Sequence, residues 1–476
     1  MLKKTSNLSC TALLVFTVLV ITKMTGQNDS IRSWRAGDHH IHSKYSAGYD
    51  TSTTPPIYNF EEQPYSILTN AEKAKQYGLD WMVATDHGGP NHAKINLENA
   101  YPELLKSREK TPEVIQFHGM EFDAPSADHN SLIIPHSDHE HTLLYEIESQ
   151  FATKDVFPRQ PERETEEHML KAITYMKNAK TPPVLISNHP SRGADSLFEY
   201  AHKEPREFRN WNNLAPNVAV GMEGAPGHQA GNLKPDGSLD TTDSRPYGNQ
   251  TMGGYDQMTA YLGGFWDSML GEGRRWWITA TSDSHTNWRD GGSDFWPGEY
   301  SKTYVYAKKS YDDILEGIRN GRIFITTGDL ISELEFKAAY KNKVAQIGGT
   351  LPIQEDADVQ ITIKLLDPDT VNHHGDNPQV NRVDLIVGEV TGKSSDLTLD
   401  HNFTTRVEKR YYAEEMKREG DYLVMTYLIK NAHHSMYLRL RGTNNTYELE
   451  PVKDHTGENP WDDLWFYSNP IFLEVK

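Results

Sequence analysis

The segment 166–190, EEHMLKAITYMKNAKTPPVLISNHP, carries one complete α/β unit. Leu170, Ile173 and Met176 recur at threefold spacing, which places them on one face of a helix over 166–178. Pro182 and Pro183 stop that helix, because proline lacks the amide a further turn needs. The apolar run 184–187 (VLIS) is too short for another helix and reads as a buried strand. It leaves the core through Ser187-Asn188-His189-Pro190.

The same unit recurs on both sides. Residues 66–77 are helical in pattern and stop at Gly78, ahead of the run 79–84 (LDWMVA). Runs at 114–117, 132–134, 218–220 and 276–281 (WWITAT) extend the series. Ser310 and Asp313 open a further helix with Ile314 and Ile318 inward, ending near Gly321. Strand–helix alternation over 34–330 predicts an α/β fold, layered or closed into a barrel. After 330 the period drops to two, in 359–365, 383–387, 422–429 and 436–440. That predicts a smaller all-β domain over 331–476, a sandwich. Residues 191–264, rich in Gly, Asn and Pro, read as loops over one end of the first domain.

The chain has 476 residues, of which 37% are hydrophobic and 10% aromatic. Such a chain buries a large core and is not disordered. Lys and Arg number 48 against 67 Asp and Glu, for a formal charge of −19. A field of that sign repels nucleic acid and anionic membranes, so a small-molecule ester is the expected partner and nucleic acid is not. The single cysteine, Cys10, excludes a disulfide framework and a thiolate metal site. Lys3 and Lys4 precede the apolar run 11–22, which is followed by Lys23-Met24-Thr25-Gly26-Gln27. This reads as a signal peptide over 1–26. The run falls short of the roughly 17–25 residues of a membrane span. Export to a periplasmic or secreted location is expected, with no stable membrane insertion after cleavage.

Each strand of the first domain ends in a residue type that binds metal. In Asp38-His39-His40-Ile41-His42-Ser43, His40 and His42 share one face of an extended chain. Thr85-Asp86-His87, Gly119-Met120-Glu121, Ser187-Asn188-His189, Gly221-Met222-Glu223 and Ser282-Asp283-Ser284-His285 follow, with His129 just ahead of 132–134. Taken singly, a His-x-His is more often a surface pair, and an Asp-His after a strand more often a cap. Together they sit where α/β folds place their sites, and they predict a multinuclear metal centre. Nitrogen and oxygen donors without sulfur suit Mn, Zn or Fe. A carboxylate such as Glu121 can bridge two ions, and ions about 3.5–4 Å apart clamp attacking and leaving oxygens.

In this order, His40-x-His42, Thr85-Asp86-His87, Glu121, His129, His189-Pro190 and Asp283-x-His285 resemble the motif series of the PHP (polymerase and histidinol phosphatase) superfamily of metal-dependent phosphoesterases. The resemblance spans 34–330 and implies a distorted (β/α)7 TIM-like barrel. It implies His40, His42, Glu121 and Asp283 around one ion, and Glu121, His129 and His189 around a second. His87 and His285 would serve a third ion or the substrate, and as catalytic residues one of them would protonate the leaving group. Asp38, Asp86 and Glu223 are expected to hold the ligands from outside. Many members carry Ser-Asp-Gly after the first motif; here the stretch is Ser46-Ala47-Gly48, so a third ion loses a ligand unless Asp50 supplies one. The stretch 321–328 (GRIFITTG) and the ending Tyr467-Ser468-Asn469-Pro470-Ile471-Phe472 are similar to exported PHP hydrolases of the carbaryl-hydrolase-like branch. Carbamate ester cleavage is one activity there.

Arg192 is a candidate for binding a phosphoryl oxygen and for catalysis, against the alternative of a surface arginine at a helix start. His228, in the loop 224–229 (GAPGHQ), is a candidate for facing the substrate, against a plain loop histidine. Lys44 reads as solvated, His136, His139 and His141 as a surface patch, and His373 and His374 as uninvolved. Trp276 and Trp277 read as packing. The expectation is an exported hydrolase in which a metal-activated hydroxide, at two or three divalent ions, cleaves phosphomono- or diesters. Carbamate or carboxylic ester hydrolysis at the same centre is the alternative.

Overall fold

The computed structural model describes residues 31–476, apart from 47, 51, 55, 60–62, 231–232, 242–250 and 456. The expected signal peptide and Ala47 lie outside the described residues. Seven strands follow one another across a sheet in chain order: β1 (Ser33–Asp38), β2 (Trp81–Ala84), β3 (Ile115–Asp123), β4 (His129–Ile134), β5 (Val184–Ser187), β6 (Ala219–Pro226) and β7 (Trp277–Thr281). β1 to β3 are mutually parallel, as are β5 to β7, while β4 runs antiparallel to both neighbours. The start of β4 therefore lies beside the end of β3, with His129 opposite Asp123. Gly37 permits the close approach of β1 and β2, since a Cβ there would fall 1.9 Å from the Trp81 ring.

The expected (β/α)7 barrel does not close. β8 (Ser301–Ala307) pairs antiparallel on the free edge of β1, β9 (Ile323–Thr327) pairs on β8, and Trp465–Ser468 pairs on β9. The β1 edge that would complete a ring is thus occupied, and the sheet continues into residues 331–476. The two arms of the curl still meet at their carboxyl ends. Ile41 and Ser284 form a single parallel bridge, and His42 N donates to Ser284 O at 2.9 Å. Behind them, the Thr303 hydroxyl donates to Ala280 O at 2.7 Å.

Helices cover the sheet where the sequence places them. Ile67–Gln76 starts at Ser66, whose hydroxyl accepts from Thr69 N at 2.9 Å, and the chain leaves through Gly78 at φ +78°. Glu166–Asn178 buries Met169, Ala172, Ile173 and Met176, with Leu170 only half-buried, so its core face lies one position round from the Leu170 line. Residues 191–264 are not loops throughout: Pro205–Leu214 is a helix with a Glu204–Glu207 capping box, burying Phe208 and Trp211. Trp276 and Trp277 are buried in the core.

In the second region Glu333–Tyr340, Lys343–Gln346, Ala357–Leu366, Lys417–Glu419 and Tyr422–Ala432 make a five-stranded antiparallel sheet. Its Ile361 and Ile363 share a core with Leu385, Leu438, Leu440 and Phe466 of the larger sheet. Arg439 fastens this region to the helix Phe265–Gly271 through a fully buried two-pronged pair with Asp267, at 2.8 and 2.7 Å.

Asp454, Glu458 and Asp463 gather nearby, and Asp454 accepts from Gly253 N at 2.6 Å and from the Thr251 hydroxyl. Asp463 is pushed up to about 7, first by burial and then by Glu458. An unfolded aspartate ionises near about 3.9. Between those values the folded state holds the extra proton, so stability falls as pH rises through that window. Asp463→Asn should raise Tm by a few degrees at about pH 8 and change it little at about pH 4. A thermal melt with no gain at the higher pH would refute this reading of Asp463.

Candidate metal centre

The carboxyl ends of the parallel strands and the start of β4 bring one set of side chains together. His40 and His42 follow β1, His87 follows β2, Glu121 lies in β3, His129 begins β4, His189 follows β5, and Asp283 and His285 follow β7. His40 Nε2 lies 3.0 Å from both Glu121 Oε1 and Asp283 Oδ1, and His42 Nε2 lies 2.9 Å from Asp283 Oδ1. Glu121 Oε1 also meets His129 Nδ1 at 3.0 Å and His189 Nε2 at 3.1 Å, while its Oε2 meets His87 Nδ1 at 2.6 Å. His39, on the opposite face from its neighbours, meets the Thr279 hydroxyl at 2.7 Å instead. His189 and Asp283 hold left-handed backbone angles, φ +28° and +49°, which turn both side chains sharply off their strand ends.

These atoms form overlapping groups whose donors lie within 4.8 Å of one another: His40–His42–Asp283, His40–Glu121–His189, His87–Glu121–His129 and His42–His87–His285. Several contacts make poor hydrogen bonds. Glu121 Oε2 and Asp283 Oδ2 are buried and accept none of acceptable geometry, although imidazole nitrogens of His87 and His228 stand 2.6 and 2.8 Å away. His40 Nε2 and His42 Nε2 face each other at 3.0 Å, as do His87 Nε2 and His285 Nε2. Ions about 2.0–2.2 Å from each donor hold neighbouring donors at roughly these separations, so the set fits divalent cations. Burial opposes the ionisation of both carboxylates, yet the surrounding histidines hold Glu121 and Asp283 well below the usual range.

A second ring of groups orients the first. Glu223 Oε1 lies 2.7 Å from His40 Nδ1 and accepts from the Thr281 hydroxyl at 2.8 Å, while its Oε2 accepts from His189 N at 2.6 Å. Asp86 accepts from Ser43 N at 2.5 Å and from the Ser46 hydroxyl at 3.0 Å, and Ser46 Oγ is 2.9 Å from His42 Nδ1. Asp38 takes amides from both arms of the curl, His40 N and Ser282 N, each at 3.0 Å. This is carboxylate–histidine support of the kind that fixes ring orientation and tautomer.

The candidates for substrate contact line the same space. His228 Nδ1 is 2.8 Å from Asp283 Oδ2; Arg192 Nη1 is 3.4 Å from His228 Nε2 and 3.9 Å from Asp283 Oδ2. His87 and His285 retain 25% and 23% side-chain exposure, more than His129 or His228 beside them. Burial lowers His87 to about 4; His285 reaches about 9 because Asp294 and Asp283 outweigh its burial. Lys44 pairs with Glu103, His136 with Glu140, and His374 with Asp376. Asp50 is taken by the Ser52 amide and hydroxyl and, among the described residues, joins none of the groups that could hold an ion.

Sequence reasoning missed several neighbours. Asn188 Nδ2 donates to Glu121 Oε1 at 3.0 Å, and Asn188 Oδ1 accepts from Ser131 N at 2.8 Å. Lys203 is buried and donates to His129 O and Asn188 O at 2.6 and 2.5 Å, tying the start of β4 to the end of β5; burial brings it down to about 8. Lys154 pairs with Asp123 and lies 3.2 Å from His129 Nε2. Asn188 stood within the motif that supplied His189. The lysines lie in segments with no periodic signal.

The sequence matches no protein-family model and no curated protein. Among solved structures it is similar to Endonuclease Q complexed with a 27-mer duplex substrate bearing an abasic lesion at the active site, at 13% identity and TM-score 0.32, over 61% of this chain and 56% of that one. It is also similar to the lesion-specific endonuclease PfuEndoQ from Pyrococcus furiosus, at 14% identity and TM-score 0.33, over 66% and 64%. The chain thus spans less than two thirds of either. One expectation is corrected here: a duplex substrate in one of these structures removes the ground for excluding nucleic acid. The physical reason is range. A net charge acts at a distance and is screened over about 8–10 Å, whereas cations at a site set the field that a bound substrate meets.

Proposed function

We propose that this chain is a metal-dependent hydrolase of phosphate esters, of the PHP type its motifs resemble. The observation that carries the reading is Glu121: imidazoles of His40, His129 and His189 meet one of its oxygens and His87 meets the other. A carboxylate so placed can be shared between two cations. Divalent ions (Mn, Zn or Fe) held there supply a more acidic water and positive charge for the equatorial oxygens.

The chain's own residues do the rest. His40, His42, Glu121, His129, His189 and Asp283 would hold the ions, and Glu223 and Asp86 fix two of the imidazoles. Arg192 orients a phosphoryl oxygen with its planar fork. Of His87 and His285, the second is the proton donor to the leaving oxygen. Asp294 and Asp283 keep it protonated against its burial, with its Nδ1 on Asp283 O and its Nε2 left to donate. His87 is held neutral by burial. Export belongs to the same proposal and is supported by residues 3–27 alone.

The test is p-nitrophenol release by the Mn-loaded protein from a phosphomonoester, a phosphodiester and an N-methylcarbamate, with EDTA controls. EDTA-sensitive turnover of a phosphate ester is expected. Turnover of the carbamate alone would replace the reading with carbamate hydrolysis at the same centre. Arg192→Ala should raise KM for the phosphate ester about 10–100-fold, the worth of a charge-assisted hydrogen bond. An unchanged KM would remove Arg192 from the substrate.

A further inference from the structure

We propose that Asp400, in the second region, is a positioning residue for Arg192: through Tyr200 and His401 it holds the loop 190–203 in the shape that presents the guanidinium to a phosphoryl oxygen. This rests on the phosphate-ester reading above and gives residues 331–476 a part in it.

The loop leaves the centre directly after His189 and returns at Lys203, whose ammonium donates to Asn188 O at 2.5 Å and so closes the neck. Arg192 lies on the outgoing limb, and Tyr200 and Ala201 lie on the returning one. The base of the outgoing limb is fixed, because Ser191 N and its hydroxyl donate to the buried Asp256 carboxylate at 3.0 and 2.7 Å. Next to Arg192 the two limbs touch: a Cβ on Gly193 would fall 3.1 Å from Ala201 Cβ. A displaced returning limb therefore moves the residue beside Arg192. Phe198 and Ala201 hold left-handed backbone angles, φ +66° and +29°. Side chains larger than glycine keep that conformation only where their surroundings impose it.

Those surroundings come largely from the second region. The Tyr200 hydroxyl donates to Asp400 Oδ2 at 2.7 Å, and Asp400 Oδ1 pairs with His401 Nδ1. The His401 ring stacks on Phe198 with centroids 4.7 Å apart, and Tyr261 meets Phe198 edge-on at 4.8 Å. One carboxylate thus secures the loop beside both strained positions. The carboxylate is itself anchored, since the segment 397–402 is tied to the first region at three main-chain points. Arg209 Nη1 donates to Leu397 O at 3.2 Å, the Ser268 hydroxyl to Leu399 O at 3.0 Å, and Asn402 N to Gly263 O at 2.8 Å. Rigid support of this kind matters most for a planar guanidinium, whose two-pronged bonds are lost on small misplacement.

The experiment compares metal-loaded wild type, Asp400→Ala, Tyr200→Phe, Arg192→Ala and the double variant Tyr200→Phe/Arg192→Ala on p-nitrophenyl phosphate. Metal content and the calorimetric affinity for inorganic phosphate are measured for each. Asp400→Ala and Tyr200→Phe should each raise KM and weaken phosphate binding about three- to tenfold, with kcat and metal content within about twofold of wild type. In the Arg192→Ala background Tyr200→Phe should cost nothing further, because the loop then has no guanidinium to place. Unchanged KM and phosphate affinity in both single variants, a penalty that adds in full to that of Arg192→Ala, or a loss of metal would overturn the inference. Wild type that neither cleaves the ester nor binds phosphate would overturn the phosphate-ester reading, and the inference with it.

Discussion

Glu121→Gln should leave a folded protein that holds little metal and turns over phosphate esters at least about 10³-fold more slowly, since the ions contribute several kcal/mol of transition-state stabilisation. The substitution conserves volume, so the strand β3 and its ladder to β4 should survive. It removes the charge that four imidazoles share. It also replaces one carboxylate oxygen by an amide donor, aimed at nitrogens that must present lone pairs to a cation. Without the carboxylate shared among them, the imidazoles and Asp283 lose the negative charge that offsets two neighbouring cations, so the ions are held less tightly. Elemental analysis and a thermal melt separate the outcomes: metal loss with the wild-type circular dichroism spectrum is expected. A variant that keeps both its ions and its turnover would remove Glu121 from the centre.

Glu223→Gln should weaken metal binding about 10–100-fold without touching a ligand. Glu223 is fully buried and accepts along both oxygens, from the His40 side at 2.7 Å and from His189 N at 2.6 Å. A glutamine has one acceptor oxygen. Whichever way the amide turns, its NH2 group faces a donor, either His40 Nδ1–H or the His189 amide. The strain falls on two ligands at once, one from each of two strands. Competitive titration with a chromophoric chelator measures the change. Wild-type affinity in this variant would mean that the His40 orientation is set elsewhere.

The legible parts of this chain were those governed by short-range pattern. The i, i+2 spacing put His40 and His42 together, and the recurrence of Leu170, Ile173 and Met176 ahead of Pro182-Pro183 was enough to find the helix Glu166–Asn178. Alternation in 359–365 and 422–429 placed the paired strands Ala357–Leu366 and Tyr422–Ala432. What stayed hidden was set by long-range pairing. Nothing local in 301–307 or 465–468 says that one strand caps the β1 edge and the other extends the sheet, which is why barrel closure was expected and not found. The helix Pro205–Leu214 was masked by its Asn-rich neighbourhood, although Glu204, Pro205 and Glu207 spelled a helix start. Lys154 and Lys203 reach the centre from irregular chain, where neither period nor motif marks a residue in advance.

The most direct test is the metal content of the protein, purified without added metal, stripped, and reloaded with Mn, Zn or Fe. About two tightly held equivalents per chain are expected, lost together in Glu121→Gln, with phosphate-ester turnover appearing on loading and vanishing with EDTA. A chain that retains no ion under these conditions, or that cleaves the ester equally well in EDTA, would contradict a metal centre as the seat of its chemistry.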